Sequence, residues 1–127
     1  MITPDTALRL ARDQAVTGDG CQLLAPTLLR SHVLSLPYQA VRRGELSKKN
    51  AARQLDYVRA LGIRLLGDRV LQGAAWKVAD QFGWPDAHDA DYVALTQLQA
   101  DALITLDGQL SLAAQHLVKV APIEALY

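Results

Sequence analysis

Residues 89–107 read DADYVALTQLQADALITLD, and this stretch decides the fold that we predict for the 127-residue chain. Apolar side chains follow Asp89 at helical spacing as far as Thr96, so a helix is expected to begin at or near the aspartate. Leu103–Leu106 is then a short apolar run of strand character, and it ends at a second aspartate, Asp107. A helix that leads into a strand closed by a carboxylate is typical of α/β proteins.

The same alternation extends outward from this stretch through the rest of the chain. Short apolar runs predict four strands, at residues 22–25, 63–66, 103–106 and 118–120. Helical spacing and cap residues predict helices at about residues 3–15, 27–43, 47–61, 70–82, 89–99 and 110–116. Parallel strands require long crossover connections, which such helices supply. We therefore predict a single α/β domain over residues 1–127, with a three-layer architecture in which a parallel sheet of about four short strands is flanked by helices.

Composition excludes several classes of protein. Cys21 is the single cysteine, so an internal disulfide and a cysteine-based zinc site are both excluded. No window of 18 apolar residues and no secretory signal pattern are present, so no membrane association is expected and a reducing, cytoplasmic location is predicted. Glycine-rich phosphate loops, the HExxH motif and a Ser-His-Asp pattern are absent as well.

The zero net charge conceals a strong segregation of charge along the chain. Residues 30–77 contain ten Lys and Arg against three acids, whereas residues 78–127 contain one Lys against seven acids. This pattern predicts a basic surface beside an acidic site. The alternative is that solvated helix faces simply differ in sign, and the sequence does not choose between the two.

Asp89 and Asp107 are the candidate catalytic residues. Ligands of open parallel sheets bind beyond the carboxyl ends of the strands, where Asp107 is expected. Two carboxylates that converge there repel each other unless a divalent cation lies between them, and hard oxygen ligands suit Mg²⁺ or Mn²⁺. The alternative is that Asp89 caps a helix and Asp107 begins a turn before Gly108.

Residues 88–96 and 102–107 resemble the C-terminal half of PIN domains, in which an Asp-Ala pair opens a helix and a later strand ends in Thr-x-Asp. Residues 24–29 and 40–47 resemble the second strand and long helix of VapC-type toxins of the same family. The resemblance implies a PIN-like sheet and a metal-dependent ribonuclease that uses Mg²⁺ or Mn²⁺. It also implies RNA as substrate, an antitoxin protein as partner and a homodimer.

Four positions bear on the metal site that this resemblance implies. Asp89 and Asp107 match two of the family's acidic ligands. Thr105 matches the hydroxyl residue that precedes the last acid in the family. Its hydroxyl would hold that acid in position without binding the metal itself. His32 stands where the family has a glutamate. Imidazole ligates Mn²⁺ or a transition metal but suits Mg²⁺ poorly, and His32 is equally readable as an ordinary surface or core histidine.

Asp5 is the candidate for the family's first acid and would be a third metal ligand, but its surroundings depart from the pattern. If Asp5 closes a central strand, Pro4 would cost that strand a hydrogen bond. If Pro4 instead begins a helix after Thr3, which the capping pattern favours, the family's first strand is missing. The gap in the sheet would then be closed by neighbouring strands, filled by the N-terminal residues, or filled by another chain.

Three hypotheses follow. The first is a VapC-like ribonuclease with a reduced site of Asp89 and Asp107, completed by Asp5 or His32. The second is a catalytically inactive PIN-like domain that binds RNA or protein, and the third is an oligomerising module whose acids only cap helices. A working site is expected to need at least about three oxygen ligands from the protein, and the sequence supplies two firmly. Trp76 and Trp84 are expected to pack in the core or a loop, with RNA stacking as the alternative.

Overall fold

The computed structural model describes all residues from 1 to 127 and contains six α-helices and two β-strands. The helices are α1 (Pro4–Asp13), α2 (Leu29–Arg42), α3 (Lys48–Ala60), α4 (Arg69–Phe82), α5 (His88–Gln99) and α6 (Gly108–Ala114). The strands are β1 (Leu24–Pro26) and β2 (Arg64–Leu66), and a short 3-10 helix spans Ile123–Leu126. More than half of the chain is therefore helical.

The prediction of a three-layer α/β fold with a PIN-like sheet of about four strands is wrong. The only sheet has two strands, which are parallel, with Ala25 opposite Leu65. The predicted strands at residues 103–106 and 118–120 reduce to isolated parallel bridges, Ile2 with Ile104 and Leu103 with Val120. The observed architecture is a largely helical domain around a two-stranded parallel sheet.

Proline explains why these bridges do not grow into strands. Pro4 begins α1 immediately after Thr3, so the pairing of Ile2 with Ile104 has no room to extend. Pro122 lies two residues beyond Val120 and has no N–H to continue the other pairing. Each of the bridged segments is also only a few residues long, so each bridge joins a single residue of one segment to a single residue of the other.

The N-terminal residues fill the gap left by the missing first strand, which is one of the three possibilities that the sequence left open. Ile2 donates its N–H to the carbonyl of Leu24 at 3.0 Å, and Ile104 donates to the carbonyl of Met1 at 2.8 Å. Ile2 therefore lies between β1 and the segment around Ile104, and it is completely buried. The predicted start of a helix after Thr3 is confirmed, and the backbone groups beside it are satisfied by insertion of Met1–Thr3.

The six predicted helices are all present, and local capping explains their positions. Ser47 accepts a hydrogen bond from the N–H of Asn50 at 3.1 Å and starts α3, as predicted. Asp68 caps α4 in the same way through the N–H of Leu71, at 2.9 Å. Gly83 ends α4 in the left-handed region, with φ +65°, where glycine carries no Cβ penalty.

The core lies around α5, which is buried from Tyr92 to Thr96 and packs against α4. Tyr92, Ile2 and Leu10 are among the largest side chains that are fully removed from solvent. The prediction that Trp76 packs in the core or a loop is wrong, because its side chain is 73% exposed. None of the helices combines the length and the apolar character that a membrane crossing requires.

Candidate acidic site

Parallel pairing brings two of the predicted acids to the same edge of the fold. Ile2 and Ile104 are bridged in parallel, and Asp5 and Asp107 each follow their bridged isoleucine by three residues. Both acids thus lie beyond the carboxyl ends of neighbouring extended segments. This is where the sequence placed Asp107, and the inserted N-terminus adds Asp5 to the same edge.

Asp107 is the N-cap of α6. One of its oxygens, Oδ1, accepts the N–H groups of Gln109 at 2.9 Å and Leu110 at 3.2 Å. The hydroxyl of Thr105 accepts the N–H of Asp107 at 3.1 Å, so the threonine fixes the backbone of the aspartate and does not hold its carboxylate. Capping is therefore an observed role of Asp107, and it leaves the second oxygen, Oδ2, without a protein partner in the structure.

Asp5 lies in the first turn of α1, where the positive end of a helix favours a carboxylate. Its Oδ1 accepts hydrogen bonds from the hydroxyl of Thr3 and from the N–H of Thr6, the latter at 2.7 Å. Asp5 lines a hollow of about 300 Å³ together with Arg9, Arg12, Leu8, Leu36, Gln54 and Leu106. Asp5 does not line the separate cavity that holds Asp89 and Asp107.

Asp89 and Asp107 share one small cavity of about 220 Å³. Its walls are Trp84, Pro85, Asp86, Asp89, Asp107, Gln109 and Leu110, and we call it the acidic cavity. The pKa of Asp89 is raised, first because burial removes part of its hydration, and then because Asp107, Asp86 and Asp5 repel its charge. Asp107 and Asp5, the other two acids named by the sequence, are therefore close enough to Asp89 to act on its charge.

No Lys or Arg forms a salt bridge with Asp5, Asp89 or Asp107. The salt bridges of the structure involve Asp13, Glu45, Asp56 and Asp86, and none involves Asp5, Asp89 or Asp107. Asp86 pairs only with His88, at 3.6 Å. At the same time, no group of three or more His, Cys, Asp or Glu side chains is arranged to hold a metal ion. The acids are neighbours, but they do not form a closed coordination shell.

His32 does not join the acidic cavity. It projects from α2, where its ring stacks on Tyr92 with centres 6.4 Å apart and meets His88 edge-on with centres 5.4 Å apart. The pKa of His32 is lowered, mainly by burial and then by His88, while Asp89, Asp86 and Asp91 act in the opposite direction. His32 is half-buried and does not line the acidic cavity.

Sequence reasoning missed Asp86 as a residue of the site, and it named Trp84 only for packing in the core or a loop, with RNA stacking as the alternative. Both lie in the loop between α4 and α5, which has no periodicity that could place them. The only signal for Asp86 was its position three residues before Asp89, a separation that brings two side chains to the same side of a helix start. Trp84 stacks on Phe82, with ring centres 4.9 Å apart, which confirms the predicted loop packing, and it also forms a wall of the acidic cavity.

Replacing Asp89 with Asn is expected to stabilise the protein at neutral pH. A carboxyl whose pKa is raised on folding binds its proton more tightly in the folded state, so its ionisation costs stability as the pH rises past the ordinary value of 3.8. Thermal unfolding at pH 7.5 should give Asp89→Asn a higher Tm than the parent, and the difference should shrink near pH 3.5. Asp80→Asn, on the exposed face of α4, is the control. A lower Tm for Asp89→Asn at pH 7.5 would instead make the charge of Asp89 a stabilising one.

No protein-family model matches the chain, and neither a curated protein nor a solved structure matches it. The resemblance of residues 22–122 to PIN domains therefore stays a prediction from the sequence.

Proposed function

We propose that the acidic cavity binds Mg²⁺ or Mn²⁺ and hydrolyses phosphodiester bonds of RNA. The observation that carries this proposal is that Asp86, Asp89 and Asp107 line one small cavity and that no Lys or Arg forms a salt bridge with any of them. Like charges that converge without a counterion are a cost to the fold, and a divalent cation removes that cost.

The donor set fits a hard cation that keeps part of its water. Mg²⁺ is commonly bound by one or two carboxylates together with waters and substrate phosphates, so a closed protein shell is not required. Asp89 and Oδ2 of Asp107 would hold the ion, with Asp86 as a further carboxylate on the same cavity wall. A bound cation would polarise the phosphate and lower the pKa of an attacking water.

The residues around the cavity have the chemistry needed to hold RNA. Trp84 offers a ring beside the acids, and base stacking on aromatic rings tolerates any sequence. Exposed cations that make no salt bridge flank the turn between α2 and α3: Arg42, Lys48, Lys49 and Arg53. Helix α3 packs on α1, and the first turn of α1 contains Asp5. These cations can therefore guide a phosphate backbone toward the edge of the fold where Asp5 and Asp107 lie.

A ribonuclease assay tests this proposal. Single-stranded RNA of mixed sequence should be cleaved in the presence of Mn²⁺ or Mg²⁺ and left intact with EDTA. Asp89→Asn should lower the cleavage rate by at least about a hundredfold, because metal-assisted charge stabilisation is worth several kcal/mol. Asp80→Asn, which removes an exposed acid of α4 that does not line the cavity, should leave the rate unchanged. Cleavage that survives Asp89→Asn would show that the cavity is not the active site.

A second candidate function is protein binding, which one specific observation favours. Helix α2 exposes Leu34, Leu36 and Tyr38, and an apolar cavity of about 460 Å³ opens between α2 and α3, lined in part by Leu29, Val33, Leu34, Leu55 and Val58. Such a surface suits a second copy of the chain or an antitoxin protein. Sedimentation of the parent as a dimer, and of Leu34→Glu as a monomer, would support the homodimer. A monomeric parent would contradict it.

A further inference from the structure

Two of the three histidines of the chain meet next to the acidic cavity. His32 comes from α2 and His88 is the first residue of α5, so the fold brings together side chains that are 56 residues apart. Their ring centres lie 5.4 Å apart and their planes make an angle of 83°. Two imidazoles that share a tetrahedral zinc ion, with Zn–N distances near 2.0–2.1 Å, place their ring centres roughly 5 to 6 Å apart.

Both rings have one nitrogen next to a polar oxygen, which leaves the other nitrogen available. Nδ1 of His88 lies 3.6 Å from a carboxylate oxygen of Asp86, and Nδ1 of His32 lies 3.5 Å from the hydroxyl of Tyr92. A carboxylate behind an imidazole orients the ring and increases its basicity as a metal ligand. The Nε2 atoms of His32 and His88 are the two nitrogens that remain.

We propose that His32 and His88 bind a transition-metal ion of the Zn²⁺ class through their Nε2 atoms, in a site distinct from the acidic cavity. Water completes the coordination of the ion. Imidazole nitrogen selects Zn²⁺, Co²⁺ or Ni²⁺ over Mg²⁺, which prefers oxygen, so the two sites take ions of different chemistry. The proposal therefore does not depend on the ribonuclease function.

Three carboxylates lie near the pair, and the pair is accessible to an ion. Burial and then the charge of His88 lower the pKa of His32, whereas the charges of Asp89, Asp86 and Asp91 act in the opposite direction. His88 is exposed at the start of α5, so an ion reaches the pair without any rearrangement of the core.

A Zn²⁺ titration followed by NMR of the histidine ring protons tests this site, because the chain contains only three histidines. We expect the signals of His32 and His88 to shift together at the lowest Zn²⁺ concentrations, while exposed His116 responds only in large excess. Equal response of all three histidines, or response of His116 alone, would overturn the proposal.

Calorimetry with variants identifies the ligands. His32→Ala, His88→Ala and the milder His88→Gln should each weaken Zn²⁺ binding by about tenfold or more, and His116→Ala should leave it unchanged. The Asp89→Asn, Asp107→Asn double variant should retain Zn²⁺ binding, which separates this site from the acidic cavity. Zn²⁺ binding that survives loss of both His32 and His88 but disappears in the double aspartate variant would assign the ion to the acidic cavity and overturn the proposal. Circular dichroism establishes that each variant is folded.

Discussion

Replacing Ile2 with Ala is expected to lower the free energy of unfolding by about 2–5 kcal/mol, the range for truncating a large buried aliphatic side chain. Ile2 is completely buried, and its backbone joins β1 on one side to the segment around Ile104 on the other. The cavity left by the missing atoms would lie between these two halves of the fold. For a domain with an ordinary stability of about 5–15 kcal/mol, this loss is severe.

Urea denaturation of the parent and of Ile2→Ala measures this loss. Val16→Ala is the matched control, because it also shortens an aliphatic side chain near the N-terminus but at a position that is 85% exposed. The control should change the stability by less than about 0.5 kcal/mol. A loss below about 1 kcal/mol for Ile2→Ala would mean that the N-terminal residues are not inserted between the two segments.

Asp107 is expected to show two separable roles when it is replaced by Asn and by Ala. Asn retains a side-chain oxygen that can accept the N–H groups of Gln109 and Leu110, so the cap and the stability are preserved. Ala removes the cap and should cost about 0.5–2 kcal/mol. Both variants lose the charge, so both should bind Mn²⁺ about tenfold or more weakly than the parent.

Thermal unfolding and Mn²⁺ binding, measured on the same three proteins, separate these roles. Ser47→Ala is the control for capping alone, because Ser47 caps α3 with no charge and lies outside the acidic cavity. It should lose stability without a change in Mn²⁺ binding. If Asp107→Asn binds Mn²⁺ as tightly as the parent, Asp107 is a helix cap and not a metal ligand.

The helices could be predicted from the sequence because their signals are local. Cap residues such as Ser47, the stop at Gly83 and apolar spacing along α4 act within a turn or two of the chain. The sheet could not be predicted, because it depends on how far pairing extends between distant segments. Pro4 and Pro122 limit that pairing to single bridges. An apolar run such as Leu103–Leu106 has the same sequence pattern whether it forms a full strand or only a single bridge.

The sequence likewise predicted only some of the residues of the candidate site. Asp89 and Asp107 stand at ends of regular elements, where periodicity places them, and the structure brings both to the acidic cavity. Asp86 and His88 lie at a loop and helix start, where only the fold decides what they face. The partner of His32 was therefore out of reach of the sequence, since His88 meets it across 56 residues of chain.

The most direct test of the account is a calorimetric titration of the protein with Mn²⁺, beside the Asp89→Asn, Asp107→Asn double variant and the Asp80→Asn control. Saturable binding of Mn²⁺ to the parent and the control is expected, and none to the double variant. The reason is that Asp86, Asp89 and Asp107 line one cavity without a paired Lys or Arg, with Asp5 close enough to act on the charge of Asp89. Absence of binding to the parent at millimolar Mn²⁺, or equal binding to the double variant, would contradict a metal-dependent active site in the acidic cavity.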